Sequence, residues 1–258
     1  MTIRAGKTPR RMISSLMDIT ERKEAERMKS DFVSFVSHQL RTPLSGMNWM
    51  LELAADADGL PDDARAHIAD ARESAARLAT LVNDLLDIAK LESGRLSAVP
   101  EALALSTVTE SVIAELKSLA TDKALVLGLT SEPSVAPVFA DAQLLRQVIA
   151  NLLSNAVKYT PHLGRVAVHL CQQNGSVTWS VRDTGVGVPR DAQPRLFEKF
   201  YRAENAIMMD AEGTGLGLHL VRLIVEQAGG RVWCESEEGQ GATFAFTLPA
   251  MTAREGRL

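Results

Sequence analysis

Apolar residues in the first hundred positions recur with the alternating three- and four-residue spacing of two amphipathic helices. The loop at residues 56–61 separates them, and Pro61 suits the first turn of the second helix. Each seam is narrow, so a single hairpin leaves apolar surface exposed, and we predict that two hairpins pair into a four-helix bundle as a homodimer. The first seam comprises Val33, Val36, Leu40, Pro43, Met47, Met50 and Ala54, and the second comprises Ile68, Ala71, Ala75, Leu78, Val82, Leu85 and Ala89.

After Pro100 the pattern changes to helical stretches that alternate with strand-like ones. Helices are predicted over residues 106–122 and 141–159. The sequences RVAVHLCQ and VTWSVRD flank the turn QNGS, and RVWCES and ATFAFTL flank EEGQG, so two β-hairpins are predicted. The predicted fold class is therefore multidomain, with a helical-hairpin dimerisation domain followed by an α/β-sandwich domain.

Composition and charge exclude several classes of function. A net charge of −4 over 258 residues gives no electrostatic basis for binding nucleic acid. No apolar run reaches membrane-spanning length, and the N-terminus lacks the apolar region of a signal peptide. Cys171 and Cys234 lie far apart without metal-ligand spacing, which favours free thiols in a reducing compartment. We therefore expect a soluble, cytoplasmic chain with no membrane contact.

A histidine stands in the segment SHQLRTPL of the first helix. With Val33, Val36 and Leu40 on the seam, His38 falls on the opposite, outward face, and Thr42 follows four residues later on the same side. A neutral imidazole is a competent exposed nucleophile. The alternative is a surface histidine without function, and no second ligand at suitable spacing supports a metal site.

The helix predicted at residues 141–159 carries a polar stripe of Asn151, Asn155 and Lys158 beside its apolar one. Asparagine is a mediocre helix former, so two of them four residues apart suggest an edge that faces a ligand. An amide oxygen can coordinate Mg²⁺, and a lysine can neutralise phosphate. The alternative interpretation is a solvated polar face.

Two glycine clusters follow. In VRDTGVGVP, Asp183 ends a predicted strand and a flexible turn comes next, and GTGLGL opens a predicted helix whose backbone amides could bind phosphate. The spacing is neither the dinucleotide-binding fingerprint nor a P-loop. Either cluster alone is explained by a plain turn, but together with the asparagine helix, in this order, they indicate a nucleotide site.

These five motifs closely resemble the boxes of bacterial two-component sensor histidine kinases. SHQLRTPL resembles the H box, NLLSNAVKYT the N box, DTGVGVP and GTGLGL the two glycine boxes, and LFEKFYR the F box, with matching order over residues 29–248. MDITERKEAE resembles the junction after a PAS sensor domain. The resemblance divides the chain into residues 1–20 (sensor end or linker), 21–96 (dimerisation and phosphotransfer), 97–250 (ATP binding) and 251–258 (tail).

The resemblance implies the GHKL (Bergerat) ATP-binding fold shared with gyrase, Hsp90 and MutL. It implies that His38 accepts the γ-phosphoryl of ATP and passes it to an aspartate of a response-regulator receiver domain, under control of an upstream sensor domain. It also implies a mobile lid over residues 197–213. The implied nucleotide-site residues are Asn155 on Mg²⁺, Asn151 near the phosphates, Lys158 and Tyr159 along the nucleotide, Asp183 on adenine, Arg202 towards the γ-phosphate, and Gly185, Gly187, Gly213, Thr214, Gly215, Leu216 and Gly217 around the ligand.

One residue departs from the family pattern. Gln39 stands where the family usually has a carboxylate that acts as a base, and an amide can hold the imidazole tautomer but cannot take a proton. A second function therefore stays open, in which Gln39 and Thr42 serve a phosphatase or scaffold with weak kinase activity. A GHKL ATPase without histidine transfer is disfavoured, because such chains lack the H-box hairpin.

Overall fold

A computed structural model describes residues 36, 39–40, 42–57, 59–93, 98–209 and 213–251. The predicted sensor end at residues 1–20, the phosphoacceptor His38 and nearly all of the predicted tail lie outside the described residues. The site residues assigned to the ATP-binding domain all lie within them.

Two helices form the predicted hairpin. Residues 42–55 are helical (α1), as are residues 36 and 39–40, and the second helix (α2) spans Asp62–Glu92. Pro61 occupies the N-cap of α2, and Asp62 and Asp63 place negative charge in its first turn, where the helix dipole favours it. The turn between the helices includes Gly59 at a φ of 77°. The prediction of a helical hairpin is confirmed.

The hairpin leaves about half of its described seam residues exposed within one chain. Leu44 on α1, which the heptad assignment did not include, is buried instead. On α2, Ala75 and Val82 are buried, and Ile88 belongs to the same apolar cluster as the α/β domain. The large side chains left exposed on the two helices are Leu40, Met47, Trp49, Met50, Leu53 and Leu78.

The α/β domain follows the hairpin with two sheets and three long helices. Its elements are β1 (Glu101–Leu103), α3 (Leu105–Asp122), β2 (Val126–Ser131), β3 (Val138–Ala140), α4 (Ala142–Tyr159), β4 (Arg165–Gln173), β5 (Ser176–Asp183), a short 3₁₀ helix (Gln193–Arg195), α5 (Glu204–Met209), α6 (Gly217–Gln227), β6 (Arg231–Ser236) and β7 (Ala242–Pro249). One sheet has five strands in the order β2-β4-β5-β7-β6, with β2 parallel to β4 and the other pairs antiparallel. Strands β1 and β3 pair separately.

Alternating burial along the central strands creates one face that α3, α4 and α6 cover. The inward residues of β5 include Trp179, which stacks on Phe246 of β7 at 5.3 Å between ring centroids. The indole N–H of Trp179 donates to the hydroxyl of Thr109 on α3 at 2.9 Å, so its polar atom is satisfied in the core. The turn at Asn174 and Gly175, both at positive φ, forms the predicted β4–β5 hairpin. The predicted α/β sandwich is confirmed.

Candidate nucleotide-binding site

A cavity of about 240 Å³ opens between α4, α6, the loop after β5 and the segment that precedes α6. Its walls include residues of four of the boxes recognised in the sequence, namely the N box, the F box and both glycine boxes. The predicted residues that line it are Asn151, Asn155, Lys158, Tyr159, Asp183, Gly187, Arg202, Gly213, Thr214, Gly215 and Gly217.

Two predicted residues, Gly185 and Leu216, do not line the cavity. Leu216 is fully buried and its side chain belongs to the apolar core. A Cβ at Gly185 would lie 2.4 Å from the carbonyl oxygen of Tyr159, so this glycine lets the loop pack against the end of α4. Both residues lie beside lining residues of the cavity, and their role in binding a ligand stays a prediction.

Helix α4 carries four of the lining residues and is anchored at its start by Asp141. Oδ1 of Asp141 accepts from the backbone N–H groups of Gln143 and Leu144 at 3.0 and 3.1 Å, and Oδ2 accepts from Val99 N at 2.9 Å. Burial pushes the pKa of Asp141 upward, but the three backbone bonds outweigh it, so that the pKa lies below its usual value. The apolar side of α4, including Val148 and Leu152, is buried and presents the asparagines to the cavity.

Asp183 ends β5 as a nearly fully buried carboxylate on the cavity wall. Its Oδ1 accepts from the backbone N–H groups of Gly185 at 2.8 Å and Ala242 at 3.2 Å, whereas Oδ2 accepts no hydrogen bond from the described residues. Burial raises the pKa of Asp183, and the two backbone bonds offset part of that rise. The carboxylate is thus fixed on one oxygen and has the other available for a donor on a ligand.

The second glycine box contacts both the F box and the N box. Gly215 has a φ of 70°, and a Cβ there would lie 2.7 Å from the backbone carbon of Phe200, whose N–H donates to Gly215 O at 3.0 Å. A Cβ at Gly217 would lie 2.8 Å from Oδ1 of Asn151. Gly217 therefore allows the start of α6 to approach α4, and Gly215 allows the segment before α6 to pack against Phe200.

Asn155 fits the role of a magnesium ligand. It lines the cavity, and within the described part of the chain its side-chain amide makes no hydrogen bond that would compete for the oxygen. An amide oxygen is a suitable ligand for a hard cation that retains several waters. The described residues contain no cluster of three or more histidine, cysteine or acidic side chains that could hold a metal by themselves. A cation bound at Asn155 could complete its coordination with waters and with oxygen atoms of a bound nucleotide.

Sequence reasoning missed the contribution of α2 to this cavity. Thr80 and Asp84 of α2 line it, and burial, followed by the neighbouring charge of Asp87, raises the pKa of Asp84 to about 6. Further along α2, a carboxylate oxygen of Glu92 lies 2.7 Å from Nζ of Lys199. Thr80, Asp84 and Glu92 occupy positions of α2 without special spacing in the sequence, so only the packing of α2 on the α/β domain could identify them.

None of the H-box residues that the structure describes lines the cavity. Gln39 and Thr42 are exposed and do not line it, while His38 lies outside the described residues. Trp49, further along the same helix, is 61% exposed. The described part of the phosphoacceptor segment therefore lies outside the candidate ATP site.

Comparison with known proteins addresses the two halves separately. Residues 28–94 match the family described as His Kinase A (phospho-acceptor) domain, and residues 140–252 match the histidine kinase-, DNA gyrase B- and HSP90-like ATPases. The chain belongs to the sensor histidine kinases. This histidine kinase chain is 33% identical over 247 residues to the sensor protein kinase WalK of Staphylococcus haemolyticus, covering 95% of the chain and 40% of WalK.

Other relatives agree with this assignment. The chain is 35% identical over 236 residues to the circadian input-output histidine kinase CikA of Synechococcus elongatus, covering 90% of the chain and 31% of CikA. It aligns with full-length ShkA in complex with AMPPNP at a TM-score of 0.73 and 32% identity, over 86% of this chain and 46% of ShkA. The fold also matches ThkA in complex with the response regulator TrrA at a TM-score of 0.63 and 22% identity, over 90% of this chain and 65% of that one.

The chain spans about two fifths of the length of the WalK relatives that it matches. In the part of the chain that the structure describes, no helix is both long and apolar enough to cross a membrane.

Proposed function

We propose that this chain is an ATP-dependent protein-histidine kinase that phosphorylates His38 and transfers the phosphoryl group to an aspartate of a response-regulator receiver domain. The observation that carries the proposal is the cavity in which the N box and both glycine boxes surround the buried Asp183. The same chain supplies a phosphoacceptor helix, as the match of residues 28–94 indicates. ShkA, a relative of similar fold, binds AMPPNP.

The nucleotide is proposed to bind with adenine against Asp183 and its phosphates towards α6. Oδ2 of Asp183 would accept a hydrogen bond from the adenine amino group, a charge-assisted bond inside a site sheltered from water. Backbone N–H groups near Gly213 and Gly215, at the start of α6, suit the phosphates because helix N-termini carry positive partial charge. Lys158 and Arg202 supply cationic side chains on the cavity wall.

Asn155 is proposed to hold Mg²⁺, with Asn151 beside it near the phosphates. When bound, Mg²⁺ supplies neutralisation of the phosphate charge. Phosphoryl transfer depends mainly on positioning and charge stabilisation, and the described lining residues provide both without a covalent contribution.

In the transfer step, an unprotonated ring nitrogen of His38 forms a bond to the γ-phosphorus as the bond to the ADP oxygen breaks. The imidazole ring gains positive charge and then loses the proton from its other nitrogen. Gln39 can accept a hydrogen bond from that N–H and fix the tautomer, but the proton must pass to solvent because an amide is not a base. We therefore expect slow autophosphorylation, and a faster reaction in Gln39→Glu.

The chain is also proposed to work as a cytoplasmic homodimer below a sensor domain. The exposed seam residues of the hairpin are the basis for the dimer, because a four-helix bundle would cover them. A second candidate function is a chain biased towards dephosphorylating the regulator, or a scaffold with weak kinase activity. It is favoured by the amide at Gln39 and by the exposure of Gln39 and Thr42 beside the H box.

Calorimetric titration with ATP, in the presence and absence of Mg²⁺, tests the assigned site. Asp183→Asn removes the charged acceptor and should weaken ATP binding by about 1.5–3 kcal/mol, or roughly 10- to 150-fold. Asn155→Ala should lose chiefly the Mg²⁺-dependent part of the affinity.

The matched control is Asp191→Asn, which makes the same change of charge at an exposed residue outside the cavity. This variant should bind ATP as the wild type does. Normal ATP binding by a folded Asp183→Asn would show that the site is assigned wrongly.

A further inference from the structure

The ammonium group of Lys123 points at the C-terminal end of α4. Lys123 is the C-cap residue of α3, and its Nζ donates to the carbonyl oxygens of Val157 at 3.0 Å, Lys158 at 2.8 Å and Thr160 at 3.1 Å. An ammonium group has three donors, and all three are used here. A side chain from one helix thus binds the free carbonyls at the end of another.

With Lys123 in place, every carbonyl oxygen at the end of α4 has a partner. The last four carbonyls of a helix lack intrahelical donors. That of Ala156 accepts from Oγ1 of Thr160 at 2.6 Å, and that of Tyr159 accepts from the N–H of Val186 at 3.4 Å. The remaining ones are those that Lys123 binds. Removal of Lys123 would leave three carbonyls of this turn without their donor.

Lys123 is itself held in a defined position. The N–H groups of Ala124 and Leu125 donate to the carbonyls of Thr121 and Ala120, both at 2.8 Å, which closes the end of α3 with Ala124 at a φ of 50°. The carbonyl of Lys123 accepts from the N–H of Leu163 at 3.1 Å, which ties the loop after α4 to the same residue. Partial burial lowers the pKa of Lys123, as expected for an ammonium withdrawn from water.

The turn that Lys123 binds is part of the candidate nucleotide site. Lys158 and Tyr159 on this turn line the cavity. The carbonyl of Tyr159 also contacts the loop after Asp183, through the bond from Val186 and the close approach of Gly185. Any shift of this turn therefore moves the cationic and aromatic wall and alters its contact with the loop of the first glycine box.

We propose that Lys123 is a positioning residue for nucleotide binding, which acts by fixing the last turn of α4 and so the placement of Lys158 and Tyr159. The proposal rests on the assignment of the cavity as the ATP site. An ordinary cation at a helix C-terminus stabilises the helix and nothing more. What distinguishes Lys123 is that its three acceptors surround two residues of the cavity wall.

The test compares Lys123→Met, which keeps the length of the side chain and removes the charge, with the wild type in titrations with Mg-ATP and with adenosine. We expect Mg-ATP to bind about tenfold more weakly, because Lys158 would be displaced from the phosphates. The affinity for adenosine, which has no phosphates, should fall clearly less. Lys123→Arg, which keeps a cation and several donors, should recover most of the affinity.

Lys117→Met is the control, since Lys117 lies exposed on the same helix and does not line the cavity. It should bind both ligands normally. Lys123→Gln, whose amide keeps two donors, is measured beside Lys123→Met so that a methionine variant that fails to fold does not end the test. We expect it to weaken Mg-ATP binding about threefold.

Three outcomes would overturn the proposal. If the folded Lys123 variants lose thermal stability but bind Mg-ATP as tightly as the wild type, Lys123 is only a helix cap. If they lose affinity for adenosine and for Mg-ATP equally, Lys123 supports the domain as a whole and does not place Lys158 against the phosphates. In both cases the proposed function stands, because wild-type binding and its loss in Asp183→Asn are measured in the same series. A wild-type chain that binds no ATP would overturn both proposals.

Discussion

The helical hairpin exposes several of its large apolar side chains, whereas the α/β domain buries its largest ones. In the α/β domain, Trp179 and Phe246 are fully buried and stacked within a core that one chain completes. On the hairpin, Leu40, Met50 and Leu78 are between 44% and 67% exposed. Exposed apolar residues at heptad spacing suit contact with another helical surface, so we propose that the hairpin needs a partner for its stability, whereas a single chain completes the core of the α/β domain.

The two regions also differ in the exposure of the residues to which we assign a function. The α/β domain holds the candidate ATP site, where buried hydrogen bonds fix Asp183 and the ammonium group of Lys123 binds the end of α4. The hairpin presents Gln39 and Thr42 on an exposed face. A group that two different domains must reach in turn has to be exposed, while a group that recognises a nucleotide gains from exclusion of water.

The largest effect is expected from breaking the α/β core alone. Trp179→Ala removes the ring that stacks on Phe246 and should lower the free energy of unfolding of this domain by about 3–5 kcal/mol. ATP binding should be lost as the domain unfolds, while the molar mass by light scattering stays that of a dimer.

Trp179→Phe is the milder companion, because it keeps an aromatic ring against Phe246 and gives up the bond to Thr109. Thr109 still has a partner, since its hydroxyl donates to Leu105 O. If Trp179→Ala also dissociated the dimer, the two regions would not be independent in the way the comparison requires.

A charge on the hairpin seam should produce the reverse result. Leu78→Asp places one carboxylate from each chain into the predicted bundle core and should weaken dimerisation by about 3 kcal/mol, more than 100-fold in the dissociation constant. ATP affinity should be unchanged, because Leu78 does not line the cavity. Light scattering across a concentration series measures the effect, with His67→Ala on an exposed position of the same helix as the control. A wild-type chain that is monomeric at micromolar concentration would contradict the bundle.

The smallest effect concerns Asp84, where the two regions meet. Its pKa is raised to about 6, so the folded chain binds this proton more tightly than the unfolded chain, whose carboxyl titrates near 3.8. The contribution to stability is therefore present below pH 3.8 and lost as the pH rises through about 6. With allowance for partial solvent screening, Asp84→Asn should stabilise the chain by about 1–2 kcal/mol at pH 8 and by almost nothing near pH 4.

Thermal unfolding at the two pH values measures this difference, with Asp70→Asn on the exposed side of α2 as the matched control. Equal stabilisation at both pH values would show that the ionisation of Asp84 is not its cause. No stabilisation at pH 8 would show that α2 does not hold Asp84 in a desolvated position against the cavity.

Local patterns predicted both hairpin helices, α3, α4 and two β-hairpins, together with about half of the residues that line the cavity. The turn sequence that contains Asn174 and Gly175 predicted the β4–β5 hairpin, and the polar stripe of α4 predicted one wall of the cavity. The parallel pairing of β2 with β4 was not predicted, because it joins strands separated by α4 and leaves no turn signal in the sequence.

The residues that reasoning from sequence missed act over long separations. Thr80 and Asp84 reach the cavity only through the packing of α2 on the α/β domain, and Lys123 reaches the end of α4 across 35 positions. Leu216 sits inside a glycine motif but points into the core, because the sequence of a motif does not state which of its members face the ligand. Such placements follow from tertiary packing rather than from periodicity.

The central claim, that His38 takes the phosphoryl group from a nucleotide held by the other domain, is tested most directly by incubation with γ-labelled Mg-ATP. We predict that the wild-type chain acquires label that is lost in acid and kept in alkali, as expected for a phosphorylated imidazole. We predict that His38→Ala acquires none, although calorimetry shows that it binds ATP as tightly as the wild type. Label that survives acid, label that persists in His38→Ala, or release of phosphate without any labelled protein would contradict the account.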